Sequence, residues 1–138
     1  MSALRLLDTN TLRYAVSAAP GEATKRACAE ALLTQRDWAL PAQVLQEFYT
    51  QATRPTRRES LLPALAGGLI DVWLRFRVQD MTVAVLLDAL EITVSHRLSH
   101  WDSAIIAAAR ACGGEVAYSE GLPHGQRVAG ARIVDPFR

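Results

Sequence analysis

The stretch Leu4-Arg5-Leu6-Leu7-Asp8-Thr9-Asn10-Thr11-Leu12 decides the fold. A short apolar run stops at an acid, and residue types that cap helices follow at once. Leu4–Leu7 is therefore predicted as a buried strand, Thr9-Asn10 as a helix cap, and Leu12, Ala15 and Val16 as one helical face. The same pattern recurs downstream. Trp38-Ala39-Leu40 reads as a second short strand, and Pro41 opens a helix over Ala42–Thr53 with Val44, Leu45, Phe48 and Ala52 on one face.

Between these units, Pro20-Gly21 breaks the chain and Glu22–Gln35 reads as an amphipathic helix. A further helical stretch, weakened by Pro63, runs to Gly67-Gly68, and Val72–Val78 is a strand or an irregular link. A helix from Met81 ends near His96. Trp101, Ala104, Ile105, Ala108, Ala109 and Cys112 recur at i, i+3, i+4, i+7, i+8 and i+11, which predicts a helix capped by Ser99 and stopped by Gly113-Gly114. Val116–Tyr118 and Ile133-Val134 are the last strands. Short apolar strands separated by helices imply a three-layer α/β fold, a short, mostly parallel sheet flanked by helices. With 138 residues, the expectation is one domain spanning 1–138.

Composition narrows the function. Half the residues are hydrophobic and 21% are charged, which excludes a disordered chain. The net charge of +1 gives no bulk field, so a nucleic-acid partner must be met by local patches. Fourteen of the 15 basic residues are arginine; arginine suits phosphate, but codon bias from a GC-rich genome is the preferred explanation, and the ratio alone carries no function. Cys28 and Cys112 show no metal-type spacing; they could form one disulfide, but nothing else suggests secretion, and they read as reduced core thiols. The longest uncharged apolar stretch, Leu61–Ile70, is about half the ~20 residues that span a bilayer, so a cytoplasmic protein without a membrane partner is expected.

In open parallel sheets the ligand crevice lies beyond the carboxyl ends of the strands. Asp8 follows the first strand and Glu120 follows Val116–Tyr118. Glu47 lies mid-helix, and Asp102 sits in the first turn of the most apolar helix. Each has an ordinary explanation, as a helix-dipole carboxylate or a solvent-facing one. Together in one crevice they would repel, and a hard cation such as Mg²⁺ or Mn²⁺ would offset that cost. No His/Cys cluster has zinc-ligand spacing, and neither Gly-Gly pair has the context of a phosphate loop.

Leu6-Leu7-Asp8-Thr9-Asn10 resembles the opening motif of PIN-domain proteins. Pro41-Ala42-Gln43-Val44-Leu45-Gln46-Glu47-Phe48-Tyr49 resembles the helix that carries their second acid, and Leu98-Ser99-His100-Trp101-Asp102-Ser103-Ala104-Ile105-Ile106 the segment with their third. Tyr118-Ser119-Glu120, with Leu122 and His124-Gly125-Gln126, is similar to their final active-site loop, and the ending Arg132–Phe137 also fits. The resemblance covers essentially the full chain, and the size and motifs look most like VapC-type toxins of bacterial toxin–antitoxin pairs. It implies a metal-dependent endoribonuclease that hydrolyses RNA phosphodiesters. Asp8, Glu47 and Asp102 would hold Mg²⁺ or Mn²⁺, Glu120 would be a fourth carboxylate, and Thr9, Asn10 and Ser119 would orient ligands or water. It also implies a homodimer and an antitoxin whose tail occupies the active-site groove. One departure stands out: Gly121 lies where the related sequences usually carry an aspartate after Ser-Glu. That departure supports the alternative of a catalytically degenerate PIN domain that binds RNA or a protein.

Arg54, Arg57 and Arg58 form the densest basic cluster, with Arg75, Arg77, Arg97, His96 and His124 also available to phosphate. His100 is a candidate general acid or a packing residue. Trp38, Trp73 and Trp101 are too dispersed for a base-stacking platform and read as packing residues.

Overall fold

A computed structural model describes residues 4–56 and 59–138, so Arg57 and Arg58 of the expected basic cluster lie outside the described residues. Strand β1 (Arg5–Leu7) leads into helix α1 (Thr9–Ala15), and a 3₁₀ turn (Pro20–Glu22) into α2 (Ala23–Leu33). Then follow β2 (Trp38–Pro41), α3 (Ala42–Ala52), α4 (Pro63–Trp73), β3 (Arg77–Gln79), α5 (Val83–His96) and α6 (His100–Ala111). The chain ends in β4 (Val116–Tyr118), β5 (Arg127–Val128) and β6 (Ala131–Val134). The sheet runs β3-β2-β1-β4-β6-β5, parallel throughout except for the β5–β6 pair. The three-layer α/β expectation holds.

Alternation along β1 assigns the two faces of the sheet. Leu6 packs with Ala39, Ala108, Ala109 and Cys112, whereas Leu7 belongs to the larger cluster with Leu40, Phe48, Ile106 and Ile133. Helix α6 is buried without a break from Ser103 to Ala109, and its alanines let it lie close to the sheet. Ser99 caps it, the Oγ accepting from the Asp102 N–H at 3.1 Å. Gly113 ends it at φ +75, the left-handed position after a helix where glycine costs least. Gly114 follows in a tight seat: a Cβ there would lie 2.7 Å from the Leu6 Cδ1 and 3.3 Å from the Leu4 carbonyl oxygen.

Four sequence expectations need correction. Asp8, not Thr9-Asn10, is the cap of α1. Pro41 closes β2 and stands just before α3 instead of opening it. Val72–Val78 is not one element, because α4 starts at Pro63, passes through Gly67-Gly68 and ends at Trp73, and β3 starts only at Arg77. Proline is well placed in a first turn, so it starts this helix where the sequence suggested a weakness. Trp101 does not join the apolar stripe of α6; it is 60% exposed, while Trp38 and Trp73 are core residues. The hairpin strand β5 carried no strand signal, being two residues long.

Cys28 and Cys112 are both free thiols. Among the described residues no helix is long and apolar enough to cross a membrane.

The two helix and loop glycines with opposite surroundings make a paired test. Gly114→Ala is expected to lose about 1–3 kcal/mol of unfolding free energy through the clash with Leu6. Gly68→Ala, on an exposed turn of α4 with nothing within 4 Å of the new Cβ, is expected to gain about 0.5–1 kcal/mol. Urea denaturation of the two variants beside the parent measures both.

Candidate active site

The strand order reverses between β1 and β4: β2 and β3 lie on one side of β1, β4 and β6 on the other. That switch point is where open α/β sheets form a ligand crevice. Leu7 and Tyr118 are in register there, and the Asp8 N–H donates to the Tyr118 carbonyl at 3.2 Å. Asp8 and Ser119 therefore emerge side by side at the carboxyl ends of adjacent strands.

Asp8 is 5% exposed. Its Oδ1 accepts from the Thr11 N–H at 3.2 Å and from the Thr11 hydroxyl at 3.3 Å, as a helix N-cap does. The Ser119 hydroxyl and the Glu120 N–H also donate to this carboxylate. Burial dominates these bonds and pushes the Asp8 carboxyl up to about 6.

Thr9 links Asp8 to the second acid. Its hydroxyl donates to Glu47 Oε2 at 3.2 Å, and the Gln43 amide donates to Glu47 Oε1 at 2.7 Å. Glu47 is thus half-buried and held toward the crevice, not turned out to solvent. Asp102 occupies the first turn of α6, half-buried, with no hydrogen bond to its carboxylate among the described residues. A cavity of about 410 Å³ runs along α3 from Gln43 past Glu47 to Arg54, and Trp101, the neighbour of Asp102, forms its other wall. The second acid thus lines this groove, and the third follows the tryptophan that closes it.

Glu120 is placed differently. Its Oε1 accepts from the Tyr14 hydroxyl at 2.7 Å and its Oε2 from Lys25 Nζ at 2.5 Å. Burial alone would raise its carboxyl, but these bonds and the charges of Lys25 and Arg13 bring it below the usual range. The bond that Lys25 donates to Glu120, and after it the one it donates to Tyr14, hold the Lys25 ammonium well above its ordinary value. Ser119 sits between the two systems: the Gly121 N–H donates to its Oγ at 3.3 Å while its hydroxyl serves Asp8. Asn10 is half-buried on α1 and carries no side-chain hydrogen bond among the described residues.

Among the described residues no three His, Cys, Asp or Glu side chains stand close enough together to hold a metal ion. The donor chemistry nevertheless fits a hard divalent cation. Asp8, Glu47 and Asp102 offer only oxygen, Asp102 is uncommitted, and the burial cost at Asp8 is what an adjoining cation offsets. Two buried polar atoms nearby on α6, Ser103 Oγ and His100 Nδ1, have no partner among the described residues.

The basic residues expected at phosphate divide. Arg54 lines the groove. Arg75 instead donates to the Leu33 carbonyl at the end of α2, His124 Nδ1 accepts the Asp135 N–H, and Arg97 follows the end of α5 in the left-handed region. Sequence reasoning missed Thr11, Tyr14 and Lys25. The last two meet Glu120 across 106 and 95 residues, a pairing without any local signal.

The family model for the PIN domain matches residues 5–121 of the chain. No curated protein matches it in sequence. Several solved structures share the fold. A toxin–antitoxin complex from Klebsiella pneumoniae aligns with a TM-score of 0.71 at 17% identity, covering 98% of each chain. DNA-bound VapBC from Salmonella typhimurium gives 0.68 at 20% identity over 98% of this chain and 99% of that one. VapC20 of Mycobacterium tuberculosis, a toxin described as cleaving the sarcin–ricin loop, gives 0.67 at 22% identity over 83% and 88%.

The raised Asp8 carboxyl sets a stability trend. Below the ordinary value of 3.8 both folded and unfolded chains keep the proton, and between 3.8 and about 6 only the folded chain does. The contribution of Asp8 to stability therefore falls as pH rises through that window. Unfolding free energies measured from pH 4 to pH 7 without divalent ions should move in favour of Asp8→Asn over the parent, by about 2–3 kcal/mol across the range.

Proposed function

Because the chain belongs to the PIN-domain family, we propose that it is a metal-dependent endoribonuclease, the toxin of a toxin–antitoxin pair acting in the cytoplasm. The observation that carries this reading is a buried carboxylate at the switch point of the sheet, Asp8, joined through Thr9 to Glu47. The toxin and toxin–antitoxin structures that share its fold support the same reading.

Asp8, Glu47 and Asp102 are the residues that would hold Mg²⁺ or Mn²⁺. Bound there, such a cation supplies Lewis-acid stabilisation of charge on a phosphodiester and makes water a stronger nucleophile. Thr9 and Gln43 fix the Glu47 carboxylate by one bond to each oxygen. Thr11, Ser119 and the Glu120 N–H stabilise Asp8 in its ionised form, the form a cation needs. Ser119 and Thr9 therefore act as positioning residues. Glu120, neutralised by Lys25 and bonded to Tyr14, anchors the loop that presents Ser119, and the ligand role expected for it would require breaking both bonds.

The partners follow from surface chemistry. Val83, Leu87, Leu90 and Val94 form an exposed apolar stripe along α5, the face we assign to a second copy of the chain. The crevice itself, lined by acids and open to solvent, suits an antitoxin tail carrying a basic residue. A second reading, a PIN domain that binds RNA without cutting it, is favoured by Gly121 together with the commitment of Glu120 to Lys25.

Cleavage of total cellular RNA tests the choice. Discrete fragments are expected with Mg²⁺ or Mn²⁺, none with EDTA, and Asp8→Asn should lower the rate by at least about a hundredfold. RNA binding without cleavage by the folded, antitoxin-free protein would select the binding module. At limiting cation, activity should fall as pH drops through about 6, where Asp8 takes up its proton. Thermal melting adds an independent check: Mg²⁺ should raise the parent's Tm and leave that of Asp102→Asn unmoved. A Cβ at position 121 meets nothing within 4 Å, so Gly121→Asp should fold as the parent does and bind Mn²⁺ more tightly by calorimetry.

A further inference from the structure

Glu47 belongs to a longer pattern. Gln43, Gln46, Glu47, Thr50, Gln51 and Arg54 recur at i, i+3, i+4, i+7, i+8 and i+11, so α3 carries one polar stripe behind its apolar one. That stripe is one wall of the groove of about 410 Å³ described above, and every lining residue except Trp101 is polar. The volume is in the range of small-molecule sites. Gln46, Thr50, Gln51 and Arg54 have no side-chain partner among the described residues, so their donors and acceptors are free for a ligand.

Trp101 completes the groove. It is 60% exposed, the only tryptophan that is not core, and the residue next to Asp102. The His100 ring stands 5.4 Å from it at 63°, in an edge-to-face contact that braces the indole. One flat aromatic surface, a row of amides that each offer a donor and an acceptor, and one guanidinium make a chemically specific set. Bases stack on aromatic faces, amides bond base edges, and arginine pairs with phosphate. A base inside an RNA duplex is already stacked on both faces and cannot use such a surface.

Resting on the ribonuclease reading, we propose that this groove is the subsite for one unpaired RNA nucleotide beside the scissile phosphate. Its base stacks on Trp101, its edge meets the Gln46 and Gln51 amides, and a neighbouring phosphate pairs with Arg54. The site would thus select single-stranded segments through Trp101 and a base through the two glutamines. Arg54 supplies affinity without sequence preference.

The test is binding, measured apart from cleavage. The parent protein in EDTA is titrated with short single-stranded RNAs of varied sequence, followed by anisotropy of a labelled RNA and by tryptophan emission. RNA should quench the solvent-exposed part of the emission, the part missing from Trp101→Phe. Trp101→Ala should bind about tenfold more weakly or worse, and Trp101→Phe should restore most of the affinity. Arg54→Ala should weaken all sequences alike and reduce the slope of log affinity against log salt by about one. Gln46→Ala with Gln51→Ala should change the order of preference among the bases. Tight RNA binding with unquenched emission and full affinity in Trp101→Ala would overturn the subsite and leave the nuclease reading intact. A Trp101→Ala protein that sediments as a monomer where the parent is a dimer would overturn it too, by giving the indole to a subunit contact. Absence of both RNA binding and cleavage in the parent would remove the nuclease reading and the subsite with it.

Discussion

The molecule is organised around one unfavourable act, the burial of a carboxylate at the end of the central strand. Asp8 is 5% exposed at the switch point of the sheet, and four hydrogen-bond donors do not fully offset its loss of water. Stability alone would place a neutral residue there. On the reading proposed above, that carboxylate would be the charge an incoming cation meets, a local violation of packing rules that the surrounding core supports. Leu6 and Leu7 just before it are both fully buried, so the strand that positions the acid is held on both faces.

The other acids are positioned by different means. Glu47 comes from a helix and depends on Thr9, the residue after Asp8, so first and second acids are coupled through one hydroxyl. Asp102 comes from the turn just before the fully buried stretch Ser103 to Ala109, where Ser99 fixes the first turn and small alanines fix the depth. Glu120 faces away, toward α1 and α2. The loop after β4 thus gives the crevice a hydroxyl and an amide while its own carboxylate ties the loop to the scaffold. This division leaves the Glu120 carboxylate engaged with the scaffold, while the space beside Gly121 stays open.

Much of this was legible in the sequence because the signals were local. The apolar run ending at Asp8, the Ser99 cap and the double glycine after α6 each act within one turn of chain, and each predicts its element. The direction of Glu47 was also within reach, because the polar spacing from Gln43 to Arg54 is visible without coordinates. Failures came where the decisive partner was remote or where a residue plays two parts. Asp8 both follows the strand and caps α1, and the cap-forming types Thr9 and Asn10 just after it mask the second part. Trp101 fitted the apolar period of α6, yet it lies in the first turn, beyond the part of the helix that meets the sheet. Lys25 and Glu120 share no spacing that a sequence could display.

That last pair has a chemical consequence. Lys25 is the chain's one lysine, since every other basic side chain is arginine or histidine. Its ammonium is locked against Glu120 and Tyr14, which keeps it protonated and therefore a poor nucleophile. Amine-directed reagents, including acetylating enzymes and lysine cross-linkers, thus find a single side chain in this fold, and its reactivity reports whether the loop beneath the crevice is latched or open. Acetylation there would remove the charge that holds Glu120 and so act on Ser119 and Asp8 from the far side of the loop. The preference for arginine over lysine leaves the chain one side-chain amine, and it is tied to the loop after β4.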